Sequence, residues 1–87
     1  PTAEQVRLIA LAASAAGDTA DAHYYMAELH LLRGDVIMAA DQLRLALSIP
    51  GLDSVQKARF TSRLAEIQEW LDRELRGRRQ QAAGGKQ

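Results

Sequence analysis

The sequence predicts an all-α protein of four antiparallel helices, and three observations lead to this prediction. Residues that can end a helix stand at a constant interval of 17 positions, at Gly17, Gly34 and Gly51. The segments between these glycines are rich in Ala and Leu, which favour helices. A residue that can cap a helix stands before each segment. Short turns between consecutive helices place each helix antiparallel to the next.

The first predicted helix follows a capping box formed by Thr2 and Gln5 and ends at Gly17. Its apolar residues lie on two faces rather than one, and a helix of this kind needs neighbours on two sides. We therefore regard it as a candidate surface for a dimer or for docking. The residues of that surface are Val6, Leu8, Ile9 and Leu11.

The second and third helices follow the three-to-four spacing of a buried stripe. The second is capped by Asp18 or Thr19, and its stripe is predicted to contain Ala22, Met26, Leu29 and Leu32. The third is capped by Asp35, and its inward positions are predicted to be Ile37, Ala40, Leu43, Ala46 and Leu47. Pro50 and Gly51 are predicted to end it.

The fourth helix is predicted to begin after Asp53, with Gln56 completing a capping box, and to end at Gly77. Its apolar stripe consists of Phe60, Leu64, Ile67, Leu71 and Leu75. The opposite face is densely charged, which is typical of the terminal capping helix of a solenoid. Residues 1–76 therefore form the predicted helical domain, and residues 77–87 are predicted to be a disordered tail because they contain few apolar groups.

Composition excludes several classes of function. Eleven basic residues balance eleven acidic ones among the 87 residues, so the charge gives no reason to expect a nucleic-acid partner. Cysteine is absent, which excludes disulfides and thiolate metal sites. The sequence contains no signal peptide and no apolar run long enough for membrane insertion, and we expect a soluble chain. We found no catalytic motif and expect neither an enzyme nor a cofactor.

Residues 20–53 resemble one tetratricopeptide repeat, a helix-turn-helix unit of 34 residues. Ala27, Ala39 and Ala46 stand where that family needs small residues between its two helices. The glycine interval extends the same register on both sides, so the resemblance implies one full repeat flanked by half repeats in a four-helix solenoid. His23 and His30 occupy aromatic positions of the motif, and we interpret them as packing residues. A zinc pair on a helix would need closer spacing and further ligands, so we expect no metal site.

The family resemblance also implies a concave groove that receives a peptide or a partner helix. Carried over by position, the groove residues are Asp21, Tyr24, Tyr25, Glu28 and Leu31 on the second helix, and Val55, Ala58, Arg59 and Ser62 on the fourth. Adjacent tyrosines suit recognition because each offers a rigid apolar face and a hydroxyl. The alternative is that both tyrosines pack against the first and third helices. The Lys and Asn of the family's carboxylate clamp have no counterpart at these positions.

A narrower resemblance covers Thr2 to Leu71 and rests on Ala22-His23-Tyr24, Gly34-Asp35, Pro50-Gly51-Leu52-Asp53 and Arg63-Leu64-Ala65-Glu66. These segments are similar to the C-terminal repeat region of bacterial periplasmic zinc metallopeptidases. The resemblance implies a recognition or regulatory region of a periplasmic or secreted parent protein. The H-E-x-x-H ligands and catalytic Glu of that family have no counterpart in this sequence.

Four hypotheses of function follow. The first is a non-catalytic interaction domain whose groove binds a protein or peptide. The second is a structural module that forms a homodimer, or docks another domain, through the first helix. The third is a generic tetratricopeptide adaptor without a protease. The fourth and weakest is an adaptor for anionic surfaces that uses the basic cluster of Arg73, Arg76, Arg78 and Arg79. Trp70 is expected to cover the last helix pair, with a ligand platform as the alternative.

Overall fold

The computed structural model describes the backbone of residues 1–85 and the side chains of residues 1–82. Within this range the chain forms four helices and no strand. They are α1 (Ala3–Ala15), α2 (Thr19–Leu32), α3 (Val36–Ser48) and α4 (Ser54–Gly85). The all-α prediction is therefore confirmed.

The ends of the helices follow the capping signals in the sequence. Thr2 and Gln5 form both bonds of the predicted capping box. Asp18, rather than Thr19, caps α2, since its carboxylate accepts from the backbone N–H of Asp21 at 3.2 Å. Equivalent bonds from Met38 to Asp35 and from Gln56 to Asp53 begin α3 and α4.

The three turns are built in the same way. Gly17, Gly34 and Gly51 have φ angles of 79°, 78° and 79°, a left-handed conformation in which a Cβ atom would be strained. The interval of 17 residues therefore marks three turns of equal construction, as the sequence predicts.

Each helix packs against the next one in the sequence. The largest side chains in the core are Leu29, Leu43 and Phe60, all almost completely buried. Between them the helices approach closely over small residues, because Ala27, Ala39 and Ala46 are each 0% exposed. Helix α2 is the central element, since every residue from Ala20 to Leu31 is buried or half-buried.

Several of the predicted inward positions are wrong. Leu32, Ile37 and Leu75 are 53%, 60% and 52% exposed. On α3 the buried face is one position out of phase with the prediction: Val36, which lies four residues before Ala40, packs against the core in place of Ile37. On α4 the stripe remains apolar beyond Leu71, although no neighbouring helix extends far enough to bury Leu75.

The predicted end of α4 is also wrong. The helix passes through Gly77 and continues to Gly85, so the residues predicted as a disordered tail are helical as far as the structure describes them. Residues 86 and 87 of that predicted tail lie outside the described residues. Gly77 is not among the glycines with positive φ, and a glycine inside a helix costs only about 1 kcal/mol relative to alanine. The surrounding Arg, Gln and Ala residues favour helix, and no proline follows to stop it.

Candidate functional site

Charged side chains connect α2 to α4 across the face that the sequence assigns to a groove. At one end of this face, Arg59 of α4 donates to the Oδ1 atom of Asp21 at 3.1 Å. The Nε2 atom of Gln56 donates to the same oxygen at 3.2 Å. One carboxylate on α2 thus holds two consecutive turns of α4 in place.

A second ion pair lies further along the same two helices. Arg63 donates through Nε to Oε1 of Glu28 at 2.8 Å and through Nη2 to Oε2 at 3.1 Å. Its Nη1 donates to Glu66 at 2.8 Å. The hydrogen bond with Glu28 is the main reason that the pKa of Arg63 is raised above its ordinary value. The guanidinium is therefore held as a cation in one orientation.

The ring of Tyr24 lies between these two ion pairs. It stacks on Phe60 with ring centroids 5.3 Å apart, and the guanidinium of Arg59 lies 4.4 Å from its centroid. Tyr25 meets the same ring edge to face at 5.2 Å. Burial, followed by the nearby charge of Glu28, raises the pKa of Tyr24. Tyr24 is thus a neutral, fixed wall whose packing partner is α4, not α1 or α3 as the packing alternative expected.

These contacts border a continuous groove along α4. A cavity of about 300 Å³ is lined by Tyr24, Glu28, Arg59, Ser62, Arg63 and Glu66. A second cavity of about 300 Å³ shares Arg63 and Glu66 with the first and continues to Leu31, Val36, Ile67, Trp70 and Arg73. The groove is therefore polar and charged near Ser62 and more apolar near Trp70.

Most of the groove residues predicted from the sequence meet in this region. Tyr24, Glu28, Arg59 and Ser62 line the first cavity, Asp21 is joined to it by its ion pair with Arg59, and Leu31 lines the second cavity. Three predicted members lie apart from both cavities. They are Tyr25, which supports the Tyr24 ring, Val55, which is 73% exposed, and the exposed Ala58.

Three residues that complete the groove were not predicted from the sequence. Arg63 and Glu66 were placed on the solvated face of α4, and Trp70 was expected only to cover the helix pair. The available signal was spacing, because Arg59, Arg63, Glu66 and Trp70 follow each other at intervals of three and four and therefore share one side of the helix.

The two histidines have different surroundings. The Nδ1 atom of His23 lies 2.8 Å from Oε1 of Gln42, and this hydrogen bond connects α2 to α3. An amide oxygen can only accept, so Nδ1 carries the proton. The backbone carbonyl of His30 accepts from the N–H of Asp35 at 2.8 Å and so helps to close the α2–α3 turn. Among residues 1–85, no three His, Asp or Glu side chains lie close enough together to hold a metal ion.

The candidate docking face on α1 is only partly accessible. Leu8, Ile9 and Leu11 are 52%, 43% and 54% exposed. Val6 is 4% exposed, so its assignment to this face is wrong: it is buried within the chain's own fold, where α1 packs against α2. The remaining three leucine and isoleucine side chains form an apolar surface that the chain leaves uncovered.

None of the described helices combines the length and the apolar character that crossing a membrane requires. No protein-family model, curated protein or solved structure matches the chain. The basis for a proposal of function is therefore the chain's own residues.

Proposed function

We propose that this chain is a non-catalytic interaction domain of the tetratricopeptide type, whose groove along α2 and α4 receives a peptide or helix of a partner protein. The observation that carries the proposal is the continuous groove whose charged end contains Ser62 and whose apolar end contains Trp70. Grooves of this mixed character suit a chain segment that combines polar and apolar side chains.

The fixed geometry of the groove walls supports the proposal. Arg59 and Arg63 are both held by carboxylates of α2, and Tyr24 is held by Phe60. A partner would therefore meet side chains that have already lost most of their rotamer freedom. Binding to such a surface costs less conformational entropy than binding to mobile side chains.

The repeat arrangement is supported by the small residues. Ala27, Ala39 and Ala46 are completely buried, and they stand at the positions where the resemblance requires small side chains. Three identical glycine turns add the expected period. On this basis residues 20–53 form one full repeat of a short solenoid, with α1 and α4 as half repeats and α4 as its capping helix.

The parent protein follows from the narrower resemblance alone. It would be a periplasmic zinc metallopeptidase in which this domain brings a substrate or regulator close to the catalytic domain. Sequencing the reading frame upstream of Pro1 tests this part of the proposal. An H-E-x-x-H segment there supports the metallopeptidase, whereas its absence leaves a generic adaptor.

Peptides selected against the chain from a random displayed library test the groove directly. Trp70 is the only tryptophan and lines the groove, so its fluorescence reports on occupancy. Ser62→Phe should fill the cavity near Tyr24 without removing an ion pair, and we expect it to weaken peptide binding at least about ten-fold, or by about 1.4 kcal/mol. Ala65→Phe is the matched control, because Ala65 is an exposed position on the same helix and lines neither cavity.

Ser62→Phe is a cleaner test than truncation of Tyr24 or Glu28. Tyr24 packs on the core residue Phe60, and Glu28 holds Arg63, so their removal would also loosen the fold. Equal effects of Ser62→Phe and Ala65→Phe on every selected peptide would exclude the groove as the binding site.

The exposed apolar side chains of α1 favour a second candidate function, a dimerisation or docking module. Leu8 and Leu11 are both more than half exposed, which is unusual for leucine unless another surface covers it. Light scattering over a range of concentrations should show self-association that Leu8→Glu with Leu11→Glu abolishes. Self-association that is unchanged in this variant would exclude α1 as the interface.

A further inference from the structure

Helix α4 extends well beyond the other three helices. It contains 32 residues, whereas α1, α2 and α3 contain 13, 14 and 13. Leu71 is the last of its residues that packs against the core cluster. The remainder, residues 72–85, is named the α4 arm and extends about 21 Å at a rise of about 1.5 Å per residue.

The α4 arm has little support from its own chain. Among its described side chains, none forms a hydrogen bond or an ion pair with another part of the molecule. A free helix of about 14 residues is marginal in water, and Gly77 weakens this one further. Contact with a second molecule would supply the missing stabilisation.

An apolar surface continues along the arm on the side that faces the α2–α3 turn. Leu75 and Ala82 extend the core-facing stripe that contains Leu71, because they follow it at helical spacing. A groove of about 470 Å³ lies at this corner and is lined by apolar side chains that include Trp70 and Ile37. The two are 43% and 60% exposed, so the surface is uncovered.

The charges of α4 near the arm are arranged in two blocks. Residues 66–74 contain four acidic side chains and one arginine, and residues 76–79 contain three arginines and no acid. Two copies of this helix placed side by side in antiparallel orientation bring the acidic block of each against the basic block of the other. Such an arrangement has two-fold symmetry, and both halves of the contact are identical.

We propose that the α4 arm binds the α4 arm of a second copy of this chain in an antiparallel pair whose two-fold axis passes near residue 76. In this register Glu74 pairs with Arg78 of the second copy, and Asp72 pairs with Arg79. Asp72 and Arg79 lie on one edge of the apolar stripe, Glu74 lies on the other edge, and Arg78 lies within the stripe on the side of Glu74. Leu71 contacts Ala82 of the second copy, and Leu75 is covered near the axis.

Sedimentation and light scattering of the 87-residue chain should give a mass that rises with concentration from 9.5 kDa to twice that value. Glu74→Arg and Arg78→Glu each replace two attractive pairs per dimer by two repulsive ones. We expect either variant alone to weaken self-association at least about ten-fold. An equimolar mixture of the two should associate again. In the mixed dimer the arginine introduced at position 74 meets the glutamate introduced at position 78, and the unchanged Arg78 of one variant meets the unchanged Glu74 of the other.

Restoration in the mixture separates the pairing of charges from loss of folding, since a misfolded variant would not recover a partner. Because the chain has no native cysteine, Leu75→Cys provides a second readout. Mild oxidation should link Leu75→Cys into a dimer, and Thr61→Cys, an exposed position on α4 outside the arm, should remain monomeric.

Two outcomes would overturn the arm interface. One is a chain that stays at 9.5 kDa at millimolar concentration in low salt. The other is a dimer that Leu8→Glu on α1 dissociates while Glu74→Arg leaves it intact. Neither outcome bears on the peptide groove, because Ser62 lies outside the arm.

Discussion

Glu28 and Arg63, which are 35 positions apart in the sequence, form a two-point ion pair that joins the middle of α2 to α4. Both hydrogen bonds lie between 2.8 and 3.1 Å, and the side chains are only 23% and 35% exposed. The same arginine also binds Glu66. The pair therefore fixes one wall of the groove and connects the central helix to the last one.

Removing this ion pair should lower the free energy of unfolding more than removing an exposed pair. A double-mutant cycle with Glu28→Gln and Arg63→Gln should give a coupling energy of about 1 kcal/mol in low salt, because the contact is bidentate and shielded from water. Urea unfolding followed by circular dichroism measures it. Asp41 and Arg44 are the matched control, since both are more than half exposed and adjacent on one helix, and their coupling should be smaller. Equal couplings would contradict the structural role of the Glu28–Arg63 pair.

Enlarging a small residue between the helices should be destabilising. Ala39 is completely buried, and Ala39→Leu should cost about 1 to 3 kcal/mol because the added atoms force the helices apart. Ala65→Leu makes the same chemical change at an exposed position and should alter stability by less than about 0.5 kcal/mol. Thermal and urea unfolding of both variants give the comparison. A tolerated leucine at position 39 would show that the close approach of the helices does not require a small residue.

Replacing glycine by alanine should have opposite effects at two positions. Gly34 has a φ of 78° and Gly77 lies within α4, while nothing approaches within 4 Å of an added Cβ at either site. Gly34→Ala should therefore destabilise the chain by about 1 to 2 kcal/mol through backbone strain alone. Gly77→Ala should increase helix content and stabilise by up to about 1 kcal/mol. Helicity at 222 nm and urea midpoints measure both changes, and a shift of the same sign in the two variants would contradict the assigned conformations.

The stability of the chain should fall at alkaline pH because of Tyr24. Burial raises its pKa above the ordinary value of 10.0, so the folded state keeps this proton at a pH where the unfolded state has lost it. Stability from this group is complete below pH 10 and decreases as the pH rises from about 10 through the folded-state pKa. Melting temperatures between about pH 8 and pH 12 should decline less steeply for Tyr24→Phe than for the unmodified chain. Tyr25→Phe controls for the loss of a tyrosine that is not stacked on Phe60, and identical slopes in all three proteins would contradict the assignment.

Local signals in the sequence were sufficient for the helices and turns. Thr2, Asp18, Asp35 and Asp53 begin the four helices, and the positive φ of the turn glycines follows from their position after each helix. These features involve residues only a few positions apart, so their energies can be inferred from the sequence. Gly77 misled the prediction because glycine is common both after a helix and, at a modest cost, within one.

The groove was predicted in part and for a clear reason. Helical position identified Tyr24, Glu28, Arg59 and Ser62 through the resemblance, but it could not say which charges would meet. The Arg63–Glu28 contact depends on how α4 lies against α2, and that orientation is set by the packing of Phe60 and its neighbours in the core. The phase error on α3 has the same origin, since Val36 and Ile37 are equally apolar and only packing distinguishes them.

The sequence by itself determined that this protein is helical, where its first three helices begin and end, and that the helix contacts at Ala27, Ala39 and Ala46 are close. Only the tertiary structure decided that α2 is the central helix, that Tyr24 stacks on Phe60, and that α4 continues beyond the core as an arm. The physical reason is range. Capping bonds and backbone preferences act over three or four residues, whereas the ion pairs, the aromatic stack and the uncovered surface of α4 depend on the relative placement of elements more than 30 residues apart in the chain.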